Sequence, residues 1–412
     1  MTAILIIFCI VYFGMMLGTL PWLKVDRSSI ALVGAVALLS GHLISGQDAL
    51  SCVDFGTLGL LFGLMLVSIQ LEMSGVYATL AARICRNNVS PSYLLALLTL
   101  LAGGLAAFLT NDVVAVALTP VVIGICIARK LNPIPFLLGI AFATNSGAIA
   151  TFVGSPQNML ISQKLNISFT KFALYTGVPA ILSSLIGWML LVFFYRNSWK
   201  LDINVKTPPE NSEIEPQVQI FDRDETVKGV IVALIVIGLF IFTDYNKGLV
   251  SVTAGAFLLM NAHFQSRTML HKIDWNLLLL FFGLFVVNQA MESTGLPRRL
   301  VEDLRHNGFN LESPPVLFGV TAILSDIVSN VPGVMLILPY AKDPISGPLM
   351  AIASGLSSNL IVIGSMANII VVDAAASKGI KISFWEFARS GIPLGIISML
   401  LGALWVLIIK LA

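Results

Sequence analysis

Apolar residues run along this chain in blocks of membrane-spanning length, with the polar residues falling between them. Stretches near the roughly 17 to 25 residues that cross a hydrocarbon core as a helix occupy residues 2–20, 28–46, 55–73, 134–162, 172–195, 227–243, 248–264, 274–292, 347–372 and 387–410. Two further apolar runs, 93–128 and 314–340, are interrupted in the middle, by Thr110-Asn111-Asp112 and by Ser329-Asn330-Val331-Pro332. Each is followed by a second interruption, Gly154-Ser155-Pro156-Gln157-Asn158 and Gly364-Ser365-Met366-Ala367-Asn368. A broken backbone ladder costs several kcal/mol in hydrocarbon unless protein or water satisfies it, so paired breaks in matching positions predict a central ion or substrate site. The expected fold is an all-α polytopic membrane protein of about ten transmembrane helices plus two re-entrant hairpins.

The pattern occurs twice. Asp54, Gly63, Glu72 and Gly75 recur as Asp274, Gly283, Glu292 and Gly295, each displaced by 220. Asn111 and Pro120 recur as Asn330 and Pro339 at 219, Gly154 and Asn158 as Gly364 and Asn368 at 210, and Ile167-Ser168-Phe169 as Ile382-Ser383-Phe384 at 215. Four blocks in the same order with small drifts in offset mark a duplication. Residues 1–195 and 227–412 are the two membrane repeats, and the hydrophilic segment 196–226, with Pro208-Pro209 and a run of acids, is a cytoplasmic linker without a core of its own.

Composition agrees with this reading: 57% of residues are hydrophobic and 11% charged, against roughly 25% charged in an average soluble domain. A net charge of +2 gives no footing for nucleic acid. The four cysteines, Cys9, Cys52, Cys85 and Cys126, show no CxxC spacing, so neither a zinc site nor a disulfide framework is expected. Residues 1–20 carry no basic n-region and exceed the length of a signal h-region, which makes them a retained first helix.

Lysine and arginine set the orientation. If each interrupted run enters and leaves on one face, Lys24, Arg27, Arg83, Arg86, Arg129, Lys130, the linker's basic residues, Arg267, Lys272, Lys378, Lys381 and Arg389 share a side. That side holds sixteen of the twenty-four basic residues and is cytoplasmic, in a multi-pass protein of the cytoplasmic (inner) membrane. The second repeat then begins on the face opposite to the first, an inverted repeat whose hairpins enter from opposite sides. Arg298, Arg299 and Arg305 are left outside.

Asp112 is the sharpest single candidate, because an ionised carboxylate in mid-membrane costs at least about 2.5 to 3.5 kcal/mol. It is protonated, paired with a cation or in water; otherwise the run is two full spans and Asp112 sits in an exposed outer turn. As a hairpin tip, Thr110, Asn111 and Asp112 would be sodium or proton ligands. Ser329 and Asn330 form the equivalent tip, with Asp326 one turn upstream, facing either the same cavity or the outer surface. Gly154, Asn158, Gly364 and Asn368 combine glycine with carboxamides, which frees carbonyls for a cation and amide N–H groups for an anion at broken helix ends. Asn145, Ser146, Ser358 and Asn359 extend each lining, with close helix packing as the competing account. Apart from Arg389, just inside the start of the last run, no arginine stands inside an apolar run, and none is well placed to hold a polyanion.

These motifs resemble the ion transporter superfamily of citrate and divalent-anion permeases, arsenite permeases and sodium–proton antiporters. The segment from Thr110 through Pro120 resembles the hairpin signature of the arsenite-permease-like branch, and Asn145-Ser146-Gly147 to Asn158 resembles the broken helix that follows it. Ser329 to Pro332 and Gly364 to Asn368 resemble their second-half partners. The resemblance covers essentially the whole chain and implies paired hairpins, elevator-like alternating access and, often, a homodimer. It places substrate or cation at Asn111 and Asn330, with Thr110, Ser146, Ser329 and Ser358 as lesser ligands; a sodium ion would sit at Asn111, Asp112 and Ser146. Dicarboxylate carriers show Ser-Asn-Thr at both tips, whereas here one tip ends in Asp112 and the other in Val331.

The function expected is therefore a secondary transporter, not an enzyme, moving a small inorganic ion or organic anion across the lipid bilayer, with no cofactor beyond sodium or protons as coupling ion. Sodium–proton antiport through Asp112 and Asp326 is the nearest alternative. An intramembrane aspartyl protease is a remote one, since neither aspartate stands in a Gly-x-Gly-Asp context, and the absence of a Walker A string leaves ATP to a separate subunit.

Overall fold

The structure, a computed structural model, describes residues 1–18, 25–85, 89–200 and 221–411. Most of the linker, together with Lys24, Arg86 and Lys206, lies outside the described residues. The described chain is helical, with an isolated bridge between Leu131 and Lys200.

The helices recur in order. The first half begins with α1 (Thr2–Leu17), α2 (Arg27–Ser40), the short α3 (Gly46–Ser51), α4 (Phe55–Met73) and α5 (Val76–Cys85). It continues with α6 (Pro91–Phe108), α7 (Asn111–Ala128), α8 (Ile134–Ala148), a 3₁₀ turn at Phe152–Gly154, α9 (Pro156–Lys164) and α10 (Phe169–Tyr195). The second half begins with α11 (Arg223–Phe242), α12 (Lys247–Leu259), the short α13 (Ser266–His271), α14 (Trp275–Ser293) and α15 (Leu296–His306). There follow α16 (Pro314–Val328), α17 (Asn330–Ile337), α18 (Ser346–Ser357), a 3₁₀ turn at Val362–Gly364, α19 (Met366–Ser377) and α20 (Phe384–Leu411).

Repeated residues start repeated helices. Asp54 accepts from the Thr57 N–H at 2.9 Å and Asp274 from the Leu277 N–H at 3.0 Å, each a side-chain N-cap that satisfies an otherwise orphaned donor. Asp26 and Asn246 cap α2 and α12 in the same way.

The halves interlock. Gly63 on α4 lies so close to Ser251 on α12 that a side chain there would collide with its backbone, and Gly283 on α14 meets Ala31 on α2 in the same manner. These are one contact seen twice, since both 63 to 283 and 31 to 251 are displacements of 220. With Gly34 against Val287 and Gly255 against Leu66, the contacts advance together along both helices, so α2 runs parallel to α14 and α4 to α12. The equivalent helices α10 and α20 run antiparallel, because Pro179 faces Gly402, Gly187 faces Leu394 and Tyr195 donates to Glu386. Small residues at these crossings let backbones approach closely, the packing that holds helices together where lipid gives no hydrophobic drive.

Among the described residues seven helices are long and apolar enough to cross a membrane: α4, α6, α7, α10, α11, α14 and α20. Each of the ten stretches expected from the sequence coincides with a helix or a pair of helices. Stretches 134–162 and 347–372 each break into two helices around a 3₁₀ turn, and α1, α2 and α12 are cut to 16, 14 and 13 residues. Hydropathy averages over a capped helix end; the caps decide where the ladder stops.

Candidate functional site

Six helices begin at one cavity of about 550 Å³. Arg27 and Ser28 open α2, Asn111 and Asp112 open α7, and Pro156 and Gln157 open α9; Asn276, Asn330 and Met366 stand in the first turns of α14, α17 and α19. Each helix N-terminus carries unsatisfied N–H groups and the positive end of a macrodipole, so their convergence favours negative charge at the centre. Arg27 adds a full positive charge. Asp26, Asp112 and Asp274 line the same cavity and supply negative charge for a cation. The hydrogen bond from Ser29 is the main cause that holds the Asp26 carboxyl below the ordinary carboxylate range.

Behind the cavity the two broken helices are tied to each other across the repeat. The Asn145 carboxamide donates to Asn359 at 3.1 Å and to Asn368 at 2.9 Å, and accepts from the Ser365 hydroxyl at 2.8 Å. Asn359 donates to Ser146 at 3.2 Å, and Ser146 shares a 2.8 Å hydrogen bond with Ser183. At the second tip Asn330 donates to the Ser358 hydroxyl at 2.8 Å. Asn158 and Asn368 brace the two breaks alike, donating to the Ala148 carbonyl at 3.1 Å and to the Ser358 carbonyl at 2.7 Å. Gly154 and Gly364 are glycines because a side chain would meet those same two residues.

The repeat fails at two positions, and the failures leave oxygens without partners. Ser358 completes Asn330, but its equivalent 210 residues earlier is Ala148, and the buried Oδ1 of Asn111 has no hydrogen bond. Asn145 donates to Asn368 and accepts from Ser365, but its equivalent is Gly355, and the buried Asn158 Oδ1 and Ser155 Oγ are unpaired. With Thr110 Oγ1 and Asp112 Oδ1, also buried and unpaired, the first tip and the first break together present five oxygens that lack donors. Buried oxygens without donors are rare in folded proteins, and a hard cation satisfies such a set. In the second half the unpaired buried oxygens are Ser325 Oγ, Asp326 Oδ1, Ser346 Oγ, Ser390 Oγ and Ser398 Oγ, none of them on the second tip.

The family model for citrate transporters matches residues 3–348. The chain belongs to the citrate transporter family. A 46 kDa membrane protein of Mycobacterium leprae is 26% identical over 403 residues, covering 93% of this chain and 94% of that one. The silicon efflux transporter LSI3 of rice is 26% identical over 446 residues, covering 91% of each. The solved structure of MtrF from Neisseria gonorrhoeae, which illuminates a class of antimetabolite efflux pumps, matches 98% of this chain and 94% of that one at a TM-score of 0.59 and 10% identity, and so shares its fold. Citrate permeases stand within the superfamily that the four motifs resemble, and this chain is a multi-pass membrane transporter.

In this citrate-family transporter the tips come together: Asn111 and Asp112 of the first line the cavity with Ser329 and Asn330 of the second. Thr110 is buried beside them, its N–H donating to Ser68 at 3.3 Å. Asn145, Ser146, Asn158, Ser358, Asn359 and Asn368 are buried behind the cavity, in the hydrogen bonds described above. Ser146, expected to share a sodium with Asn111 and Asp112, has its hydroxyl engaged by Ser183 and Asn359. Asp326 faces the second break, 3.0 Å from the place a Gly364 side chain would occupy. Ser329 holds φ 78° and ψ 157°, a conformation natural only to glycine, whereas its counterpart Thr110 sits at φ −67°. Sequence reasoning missed Arg27: it lies just before an apolar run, and only the packing of α2 on α14 carries it to the cavity. Its place at an equivalent position to Lys247, another basic residue at the start of a helix, was the available signal.

Proposed function

We propose that the chain is a secondary active transporter of the cytoplasmic membrane that moves a small organic or inorganic anion together with sodium or protons by alternating access. The observation that carries this reading is the convergence of six helix N-termini and Arg27 on a single cavity whose first-half wall holds unpaired buried oxygens. The N-termini and Arg27 suit an anion, and the oxygens of Asn111, Asp112 and Asn158 suit the coupling cation, with each charge lowering the cost of the other. Antiparallel α10 and α20 support an inverted repeat, in which the hairpins enter from opposite faces. With the basic side as cytoplasm, the cavity, walled by the starts of α2 and α14 close to Lys272, opens inward.

The test is uptake into proteoliposomes under an imposed sodium or proton gradient, with citrate, phosphate-like anions, arsenite and silicic acid as the panel. Gradient-driven movement of an anion supports the reading. Movement of sodium against protons with no anion requirement would favour antiport instead, and if no solute responds to either gradient the proposal fails.

A further inference from the structure

Equivalent charged residues in the two repeats are engaged on one side and unengaged on the other. Arg27 opens α2 and Lys247 opens α12, a displacement of 220. The Lys247 ammonium donates to the Ile167 carbonyl at 2.7 Å, the Ser162 hydroxyl at 2.9 Å and the Ser162 carbonyl at 3.3 Å, and lies 5.0 Å from the centre of the Phe152 ring. Its oxygens come from the end of α9 and the turn into α10. Arg27 makes no such contact: its Nε donates to the Met15 carbonyl at 3.2 Å, within its own half, and the residue lines the cavity.

The capping aspartates behave alike. Asp54 caps α4 with Oδ1, and its Oδ2 holds Lys164, the last residue of α9, at 3.0 Å. Asp274 caps α14 with Oδ1, but no cation among the described residues pairs with it, and it too lines the cavity. Lys378, which closes α19 at a displacement of 214 from Lys164, is exposed and in no ion pair among the described residues. Accordingly α9 packs on α4, while no comparable packing joins α19 to α14.

We propose that Lys247 and the Asp54–Lys164 pair are a latch that seals one face of the transporter, and that alternation releases it while Arg27 and Asp274 dock the α19–α20 turn in its place. This rests on the alternating-access reading above. A repeat whose equivalent helices α10 and α20 run antiparallel can close its open face with the counterparts of the contacts that close the other. The Ile380 N–H donates to the Ala375 carbonyl at 3.0 Å as the Ile167 N–H does to that of Ser162 at 3.0 Å, so the carbonyls of Ala375 and Ile380 then replace those of Ser162 and Ile167, and Lys378 supplies the ammonium in place of Lys164. Ala375 has no hydroxyl to match Ser162, and a guanidinium with five donors engages the carbonyls without one. Each latch is a few charge-assisted contacts at a half-exposed surface, weak enough to be exchanged.

The test reads cavity closure with no transported solute present. Leu280 lines the cavity; Leu280→Cys, in a background with the native cysteines changed to alanine, is labelled in proteoliposomes with a membrane-impermeant maleimide from the face that reaches it. Lys247→Met and Asp54→Asn, each removing part of the seal, are expected to slow labelling by roughly threefold or more as the population moves to the state with this cavity closed. Arg27→Met is expected to do the reverse, and Lys247→Arg to restore the parent rate. Unchanged or faster labelling in Asp54→Asn, which keeps its helix cap and so its fold, overturns the latch even if Lys247→Met does not fold. A solute panel that fails to move would defeat the proposed function and leave this labelling result standing.

Discussion

Asn111 and Asn330 are the same residue in the two repeats, and their neighbours make them different. Asn330 is completed by Ser358, whereas the residue equivalent to Ser358 in the first repeat is Ala148, and Asn111 keeps a buried oxygen free. Ala148→Ser should give Asn111 the missing hydroxyl and raise the sodium or proton concentration for half-maximal transport by about tenfold, the equivalent of one hydrogen bond; an unchanged concentration dependence would remove Asn111 from the cation site. Asp112→Asn is expected to abolish the sodium or pH dependence of transport while the protein still inserts, as flux at several pH values would show. Ser329→Gly should raise the melting temperature, since relief of about 1 to 3 kcal/mol of backbone strain exceeds the added chain entropy of glycine.

At the scale of elements, the two breaks and two tips were legible in the sequence because each interrupts an apolar run with residues that serve as helix ends. Gly154 and Gly364 mark where the chain must pass close to Ala148 and Ser358. Gly154→Ala should clash with the backbone of Ala106 and Ala148 and cost about 1 to 3 kcal/mol, seen as a lower melting temperature in detergent; Gly104→Ala, with open space around it, is the control expected to change little. Less legible were the lengths of α2 and α12, because Asp26 and Asn246 cap their first turns and so fix where each helix starts, which hydropathy does not register. The roles of Asn145 and Asn359 were hidden as well: as carboxamides in apolar surroundings they have the look of ligands, yet they are satisfied by each other's half, 214 positions away in sequence.

For the whole molecule, the interlocked pairs α2–α14 and α4–α12 make each half a partner that the other requires. Residues 1–195 and 227–412 expressed separately should each aggregate, and expressed together should assemble into a complex that co-purifies; a stable, monodisperse single half would contradict the interlock. The sequence by itself determined that the chain is helical, membrane-embedded and duplicated, and which segments break, because apolar length, caps and glycines act through neighbours along the chain. Only the tertiary structure decided that six helix N-termini share one cavity, that Arg27 reaches it, and that Asn111 and Asp112 in its wall keep unpaired oxygens whereas Asn330 does not. Those outcomes depend on which groups meet across the repeat, and a hydrogen bond or an ion pair is fixed by the approach of segments some two hundred residues apart, which periodicity does not encode.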